Sequence, residues 1–375
     1  DIVLGGSYRD YILRSNGSLF TDYDAPIEFN EMGVYAQAQT SIMDGAVKLT
    51  GSMRYDKSEF FDGSITPRVG ALIFLSENQN IRMSYQTGFQ NPAAQDQYIG
   101  LDAGAAILVG GSPDNIDRFN MKLRGSTGET YTLTGNQIQQ NSYTLASVQA
   151  GAPVAAGDLG TVESQNVKSF DLGYRVNGKK TAFDINAYYT KWDNFISAVN
   201  VITPLYGSAS NVMGLYALSQ GDFRVVQMDS NTDEEVNTYG ISAGLETSLL
   251  DVFDLNMTYS YNKLDYAATN PDYEPGFNTP ENRAVISLGS TKLAENFAFN
   301  VSAKYHDNFT WQQGGFIDAM IPARTTFDAS MNFDLPSIDS KIKVGGTNLG
   351  GDEYFMMPGS GAIGSQFYVG FTINP

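Results

Sequence analysis

Residues 253–262 read FDLNMTYSYN and alternate apolar or aromatic side chains with polar ones without a break. In an extended strand this two-residue period puts the apolar side chains on one face and the polar side chains on the other. The same alternation recurs in VKLTGSMRYD (47–56), FDINAYYTK (183–191), FAFNVSAKYHD (297–307) and FDASMNFDL (327–335). The pattern predicts strands with one apolar and one polar face, and no segment has a convincing helical period.

About fourteen strands of this kind are predicted along the chain. They lie near residues 1–13, 28–43, 46–57, 64–76, 80–89, 166–177, 180–196, 235–250, 253–265, 282–292, 296–309, 322–335, 340–348 and 364–374. Their lengths suit the ~9–11 residues with which a tilted strand crosses a lipid bilayer.

The connections between these strands alternate between short turns and long loops. The short turns are MDGA (43–46), SENQ (76–79), NGKK (177–180), LDVF (250–253), LAEN (293–296) and PSIDS (336–340). The long loops span 14–27, 58–63, 90–165, 197–234, 266–281, 310–321 and 349–363. In an up-and-down meander alternate connections lie at the same end. All short turns are therefore predicted at one end of the sheet and all long loops at the other.

This segregation of loops favours a membrane-spanning barrel over a soluble all-β protein, which is the alternative. Outer-membrane barrels combine short turns, long loops at the opposite end, an apolar outer face and a polar interior. The composition agrees, because 22 Tyr and 22 Phe accompany only 17% charged residues. A mean hydropathy of −0.23 fits strands whose lipid-facing and lumen-facing residues alternate. The predicted fold class is all-β, a transmembrane antiparallel up-and-down β-barrel.

The totals also bear on the function class. The 23 basic and 41 acidic residues give a net charge of −18, which argues against binding nucleic acid. The absence of Cys excludes thiolate metal sites, catalytic thiols and disulfides. The single histidine, His306, precedes Asp307 and falls on the polar face, where a pore-lining role is favoured over catalysis. We expect a protein that is not an enzyme and needs no cofactor.

Two stretches resemble ion- or phosphate-binding loops only in part. DSNTDEE (229–235) spaces Asp229, Asn231 and Asp233 like the start of a calcium loop, but Glu234 stands where that loop needs glycine. A solvated acidic loop is the favoured interpretation, and loose binding of Ca²⁺ or of a lipopolysaccharide-bridging cation is the alternative. GGSPDN and TNLGGD lack the lysine and the strand-to-helix context of a phosphate loop. No metal site is predicted.

The polar face of the strands is predicted to line a pore. The candidate pore-lining residues are Arg54, Arg82, Arg175, Asn300, Lys304 and His306. The basic side chains among them could attract an anionic substrate or pair with aspartates of the same face. Pairing is the favoured interpretation, because charges inside large barrels are generally compensated.

The longest connection, 90–165, is too long for an ordinary loop, and 197–234 is a further long loop. We interpret 90–165 as an extracellular loop that folds over or into the pore mouth, and a flexible loop without a binding role is an equally open alternative. Aromatic side chains in these two loops and in 310–321 are candidates for stacking on a ligand. The candidate ligand-binding residues are Tyr98, Phe119, Tyr206, Trp311 and Phe316. For each of them, loop packing or a place in the interfacial girdle is the alternative.

Several short motifs follow one another in a fixed order. They are RDYILRSNGSLFTD (9–22), GSMRYDKSEFFDGSITPRVG (51–70), IRMSYQTGFQNPAAQDQYIGL (81–101), ESQNVKSFDLGYR (163–175), VGGTNLGGDEY (344–354) and FYVGFTI (367–373). In order and spacing, this set resembles the C-terminal barrel half of TonB-dependent outer-membrane receptors. It is most similar to the Bacteroidetes type, which has a carboxypeptidase-regulatory-like N-terminal domain. One departure is the ending Asn374-Pro375, where the family closes with an aromatic residue.

The resemblance implies a wide barrel of roughly 22 strands around a plug. Residues 1–375 are then expected to be the C-terminal part of such a barrel, with the plug and the TonB-contacting segment outside this chain. The implied location is the bacterial outer membrane. The implied partners are the TonB complex, outer-membrane lipid and lipopolysaccharide, together with a SusD-like or other surface lipoprotein.

Three hypotheses about function follow from the sequence. The first is TonB-dependent import of a scarce siderophore, oligosaccharide or peptide, powered from the inner membrane. The second is a passive outer-membrane channel of about fourteen strands. The third is a barrel platform that docks a surface lipoprotein or an export partner.

Overall fold

The computed structural model describes residues 1–232, 234–266, 273–274, 276–312 and 318–373. The helices within these ranges are short, with five to nine residues each. None of the described helices is long and apolar enough to cross a membrane.

The elements follow one another in four stretches of chain. The first contains β1 (Ile2–Leu13), β2 (Ile27–Ile42), β3 (Val47–Ser58), β4 (Ser64–Ser76) and β5 (Gln79–Gln90). The second contains α1 (Ala94–Tyr98), β6 (Gly100–Asp102), β7 (Ile107–Val109), α2 (Pro113–Arg118), β8 (Asn120–Arg124), β9 (Thr130–Thr134), α3 (Gly135–Asn141), β10 (Tyr143–Thr144) and α4 (Leu145–Gln149). The third contains β11 (Gln165–Asn177), β12 (Thr181–Asp193), β13 (Phe195–Pro204), α5 (Val212–Gln220), β14 (Phe223–Thr232) and β15 (Val236–Leu249). The fourth contains β16 (Phe253–Tyr266), β17 (Tyr273–Glu274), β18 (Asn282–Ala294), β19 (Phe297–His306), β20 (Phe309–Trp311), β21 (Ala319–Ile321), β22 (Arg324–Leu335), a 3₁₀ turn (Pro336–Ile338), β23 (Ser340–Thr347) and β24 (Gln366–Ile373).

Fourteen strands form one antiparallel sheet, which we call the wall. Its order is β1-β2-β3-β4-β5-β11-β12-β15-β16-β18-β19-β22-β23-β24, so each wall strand pairs with the next one along the chain. β1 and β24 lie at the two edges. All fourteen strands predicted from the alternation are present, with ends within about three residues of the predicted positions. The up-and-down antiparallel arrangement is confirmed.

Four of the six short turns of the wall contain residues in the left-handed region. Asp44, Asp251, Asn296 and Asp339 have φ values of 53°, 58°, 60° and 43°. Asn and Asp tolerate this conformation better than most residues, and they allow a strand to reverse within a few residues. These turns close one end of the wall, and the opposite end carries the long connections.

The apolar face of the wall is exposed. Val69, Tyr85, Phe170 and Tyr189 pair directly across β4, β5, β11 and β12, so their side chains share one face. Their exposed fractions are 55%, 44%, 48% and 46%. Such a continuous apolar surface is far larger than water-soluble proteins normally tolerate. An apolar surrounding is therefore required on this side of the sheet, and lipid hydrocarbon provides it.

The opposite face of the wall carries hydrogen-bonding side chains. Gln86, Ser169, Thr190 and Thr238 form one row across four strands, each pairing directly with the next. The Ser169 and Thr190 hydroxyl oxygens are 2.9 Å apart. Because cross-strand partners share a face, the alternation that exposes apolar side chains on one side collects polar ones on the other.

The two longest connections fold together into what we call the loop domain, residues 91–164 and 194–232. A second sheet in the order β10-β13-β14-β7-β6 joins them, with β17 added beside β13. Two pairings link the connections: Val226 pairs in parallel with Ile107, and Tyr143 pairs antiparallel with Ile202. The sequence predicted these stretches as separate loops and predicted no helices. The structure corrects both points, because each connection contains regular elements that need the other connection as a partner.

The loop domain has a hydrophobic core of the ordinary kind. Its core consists of Ile107, Val109, Ile116, Phe119, Leu123, Leu133, Ile138, Leu159, Val199, Val201, Leu205, Val226 and Met228. The largest fully buried side chains among the described residues lie in the loop domain or, like Ile27, at the long-loop end of a wall strand. The wall thus presents its apolar side chains outward, whereas the loop domain buries its own.

A charge on the exposed apolar face should weaken the wall. Met257 lies on this face between Leu245 and Ile286. We expect Met257→Lys to lower the free energy of unfolding by about 2–4 kcal/mol in a lipid bilayer, because the ammonium would be held in hydrocarbon. Denaturant titration of protein folded into lipid vesicles measures the change. Thr258→Lys, on the polar face one residue further on, is the matched control, and equal losses for both variants would refute the assignment of the faces.

Candidate functional site

The basic side chains predicted to line a pore are held by aspartates on the polar face. Arg54 lies 2.5 Å from Asp56. Arg82 and Arg175 both approach Asp184, at 2.8 and 3.3 Å. Lys304 lies 2.5 Å from Asp328. This is the pairing that the sequence favoured, and the paired guanidinium and ammonium groups are largely neutralised locally.

The two remaining pore-lining candidates also belong to the polar face. Asn300 pairs across the sheet with Gly289 and Ser330. His306 ends β19, and its Nδ1 lies 2.7 Å from the Asp307 carbonyl oxygen. A hydrogen bond to its own backbone neighbour suits a polar residue that completes a strand end.

Two arginines at the long-loop end of the wall differ from the basic residues above. Arg283 pairs across the sheet with His306, and His306 pairs with Arg324 on its other side. Neither arginine forms an ion pair with any residue that the structure describes. The guanidinium carbon of Arg324 lies 3.5 Å from the ring centroid of Tyr354, a close cation–π contact.

Arg324 borders a cavity of about 760 Å³, which we call the loop-end cavity. Its polar lining includes Thr325, Asn348 and Tyr354, and its apolar lining includes Met320 and Phe355. Both apolar side chains are exposed. The charged side chains that line it are Arg324, Asp352 and Glu353. An apolar lining combined with a few polar and charged groups is typical of a small-molecule site.

Trp311 lies next to this cavity, on the hairpin formed by β20 and β21. It pairs with Ala319, which lines the cavity. The buried indole N–H of Trp311 has no hydrogen-bond partner among the described residues. Phe316, the other aromatic candidate of this connection, lies outside the described residues.

Three further candidates belong to the packing of the loop domain. Tyr98 is fully buried, with its ring centroid 6.2 Å from Phe29 and 6.3 Å from Phe60, and burial raises the pKa of its hydroxyl to about 12. Phe119 is buried in the hydrophobic core. Neither ring has a free face for stacking on a ligand, so the ligand-binding role predicted for them is dropped. Tyr206 is partly buried, 5.2 Å from the Tyr131 ring.

The acidic stretch 229–235 is described only in part, because Asp233 lies outside the described residues. Asp229 and Asn231 lie on β14, and the Asn231 amide donates to the Asn194 and Glu163 carbonyl oxygens at 2.8 and 3.1 Å. Burial raises the pKa of Asp229 well above its usual range, with a further contribution from Asp96. Among the described residues, no group of three or more His, Asp or Glu side chains could hold a metal ion.

A hydrogen-bonded turn joins the loop domain to the wall. The Thr21 amide donates to the Tyr98 carbonyl at 3.1 Å, and the Gly100 amide donates to the Leu19 carbonyl at 2.8 Å. Asp22 organises this turn by accepting from the Ser15 hydroxyl at 2.5 Å and from the Asn16 and Gly17 amides at 2.9 Å. Burial alone would raise the pKa of Asp22, but these hydrogen bonds lower it to about 2.

The basic residues for which the sequence favoured pairing with aspartates are paired, but the residues of the loop-end cavity were not predicted. Arg324 and Tyr354 were missed, because the alternation assigns every such arginine to the polar face and does not distinguish arginines with an acidic neighbour from those without one. A usable signal was present in the neighbours. Arg54 has an aspartate two residues on along its strand, whereas Arg324 has Thr326 there and His306 across the sheet. Arginines without a nearby acid are the ones left free to bind an anion.

These features define an outer-membrane β-barrel with a folded domain and a ligand-sized cavity at its long-loop end. Residues 1–349 match the family model described as TonB dependent receptor-like, beta-barrel. The chain belongs to the TonB-dependent receptor family, whose members are transport proteins of the outer membrane and not enzymes. The resemblance to the TonB-dependent receptor family is thereby confirmed, and the Bacteroidetes type stays a prediction. No curated protein sequence matches the chain.

Several solved structures share the fold at low sequence identity. The FrpB iron transporter from Neisseria meningitidis (F5-1 variant) has a TM-score of 0.63 and 11% identity, covering 99% of this chain and 52% of its own. The siderophore receptor PirA from Acinetobacter baumannii has a TM-score of 0.59 and 10% identity, covering 94% and 48%. A mutant ferric enterobactin receptor (PfeA) from Pseudomonas aeruginosa has a TM-score of 0.62 and 11% identity, covering 99% and 50%. The chain thus spans about half the length of each, and the likeness establishes the fold alone.

The turn around Asp22 should loosen in acid. Because the pKa of Asp22 is lowered in the folded protein, its hydrogen bonds contribute stability that is fully present above pH 3.8 and is lost as the pH falls towards 2. We expect faster hydrogen exchange at the Thr21 and Gly100 amides over that interval, measured by mass spectrometry against the intrinsic rate. Asp22→Ala should show the same loss of protection at neutral pH.

Ser18→Ala is the control for this experiment. Its hydroxyl donates to the Ser15 carbonyl at 2.7 Å on the exposed side of the same turn and does not contact Asp22. Unchanged protection of both amides in Asp22→Ala would contradict the role given to this carboxylate.

Proposed function

We propose that the protein containing this chain imports a scarce ligand across the outer membrane with energy supplied by the TonB complex. In this proposal, residues 1–375 form the C-terminal part of a roughly 22-stranded barrel. The polar face lines the path of the ligand, and the loop domain and the loop-end cavity lie outside the cell. The observation that carries the proposal is the family match over 1–349.

The neighbours suggest the classes of ligand to test. They are a siderophore receptor, an iron transporter and a ferric enterobactin receptor. At identities near 11% such names do not transfer to this chain. A siderophore, an oligosaccharide and a peptide therefore all remain candidate ligands.

A second candidate function is a docking platform for a SusD-like or other surface lipoprotein. Helix α5 begins after Asn211, whose side chain accepts hydrogen bonds from the Met213 and Gly214 amides. It ends before Gly221, which has a φ of 76°. Its apolar side chains Val212 and Tyr216 are 78% and 52% exposed. An exposed apolar helix face in a loop domain favours a protein partner, alongside import.

Energy dependence distinguishes import from a passive channel. We expect cells that produce the protein to accumulate one labelled probe from a panel of a ferric tris-catecholate, maltoheptaose and the peptide Ala-Leu-Phe-Leu. Because a plug must yield to force, accumulation should fall to the background of the deletion strain after addition of a protonophore or deletion of tonB. Uptake that survives both treatments, with stable conductance in planar bilayers, would favour the channel of about fourteen strands instead.

The proposed sidedness has its own test. Added protease should cleave intact cells within residues 91–164 or 194–232, and the turn at 178–180 should be cut only after the outer membrane is permeabilised. Epitope tags at the two places, read by immunoblot, make the comparison direct. Cleavage of the turn at 178–180 in intact cells would reverse the orientation.

A further inference from the structure

The loop-end cavity contains an arginine, Arg324, that forms no ion pair with any residue that the structure describes. The net charge is −18, and acidic side chains therefore outnumber basic ones almost two to one. Arg54, Arg82, Arg175 and Lys304 of the polar face each have an aspartate within 3.3 Å. Arg324 lies on the same face and has no such partner among the described residues. In so acidic a chain, this is a place where an anion can bind.

The geometry around Arg324 leaves its donor groups available. The Tyr354 ring covers the flat side of the guanidinium at 3.5 Å. A ring in this position stabilises the guanidinium group but accepts no hydrogen bonds from its in-plane N–H groups. No hydrogen bond from Arg324 to a described residue is present. A planar carboxylate matches the fork of two parallel N–H groups that an arginine presents.

The other residues that line the cavity restrict the class of ligand that fits there. Met320 and Phe355 give it an exposed apolar surface, which suits an apolar side chain. Asp352 and Glu353 also line the cavity and are exposed, so a ligand with several negative charges would be repelled there. The same two carboxylates can accept hydrogen bonds from an ammonium or amide group.

We propose that the loop-end cavity binds the C-terminal carboxylate of a short apolar peptide, with Arg324 as the carboxylate-binding residue. A neutral oligosaccharide would leave the Arg324 charge without a partner, and a polyanionic metal chelate would meet Asp352 and Glu353. A peptide combines one carboxylate, apolar side chains and N–H donors. The cavity volume of about 760 Å³ lies within the range of small-molecule sites. This inference rests on the proposed import function, whose ligand class it specifies.

Arg283 extends the positively charged row along the same face. It is separated from Arg324 only by His306, at the ends of three neighbouring strands. Adjacent strands are about 4.8 Å apart, so the two arginines lie about 10 Å from each other. A second carboxylate on the peptide, such as an acidic side chain, can reach Arg283 while the C-terminus stays on Arg324.

The test compares a peptide acid with its amide. Isothermal titration calorimetry of the full receptor in detergent uses Ala-Leu-Phe-Leu with a free C-terminus and with a C-terminal amide. We expect the free acid to bind about 10–100-fold more tightly, the range of one charge-assisted hydrogen-bonded pair. Arg324→Gln should abolish this preference, because it lowers the affinity for the free acid and leaves the affinity for the amide unchanged. Arg324→Lys should keep part of the preference, because a positive point charge remains.

Lys341→Gln is the matched control. Lys341 lies on the neighbouring strand at the short-turn end, 3.1 Å from Asp334. Its substitution should leave the preference for the free acid unchanged. Equal affinities for acid and amide, no binding of either, or an unaltered preference in a folded Arg324→Gln receptor would each overturn the inference. Folding of each variant is checked by its thermal melt.

The failure of this inference and the failure of import give different results. If cells accumulate the ferric tris-catecholate or maltoheptaose in a tonB-dependent way and do not accumulate the peptide, the import proposal is supported and the peptide site is refuted. If no probe shows tonB-dependent accumulation but the free acid still binds through Arg324, the site stands without transport.

Discussion

The antiparallel register of the wall is the constraint on which the rest of the structure depends. Backbone N–H and C=O groups in hydrocarbon have no water to bond, so each strand must satisfy them through its neighbours. The register that does this also sets the faces, because directly paired residues such as Tyr85 and Phe170 point the same way. A slip by one residue would turn Arg82 and Asp184 towards lipid and Met83 towards the lumen. Hydrogen bonding and side-chain polarity thus select the same pairing.

The loop domain buries its apolar side chains, whereas the wall exposes them. It begins at the long-loop end of the wall. Above the membrane, apolar side chains meet water, so Ile107, Val201 and Val226 are buried between segments as in a soluble protein. The two regions are joined by few but specific contacts, among them the turn organised by Asp22. The loop-end cavity is separate from this domain, since residues 319–325, 348, 352–355 and 358–359 line it.

The polar face contains both paired and unpaired basic groups. Arg54, Arg82, Arg175 and Lys304 are compensated at short range by aspartates of the same face. Arg324 is different because its cross-strand neighbour is His306 and the residue stacked on it is Tyr354, and neither carries a negative charge at neutral pH. Arg324 has no ion pair among the described residues, although Asp352 and Glu353 line the same cavity, and the proposed carboxylate binding depends on this arrangement.

The sequence by itself determined the wall, because each strand is encoded by a local two-residue period and each turn by a few residues. The fourteen strands, their faces and the separation of short turns from long loops all follow from that local pattern and from the demands of the bilayer. Only the tertiary structure decided that 91–164 and 194–232 fold together, that Tyr98 and Phe119 are core residues, and that Arg324 borders a cavity under Tyr354. These features depend on contacts between residues far apart in the chain, such as Val226 with Ile107. No local period records such contacts, because the partner of each residue is chosen by packing in three dimensions.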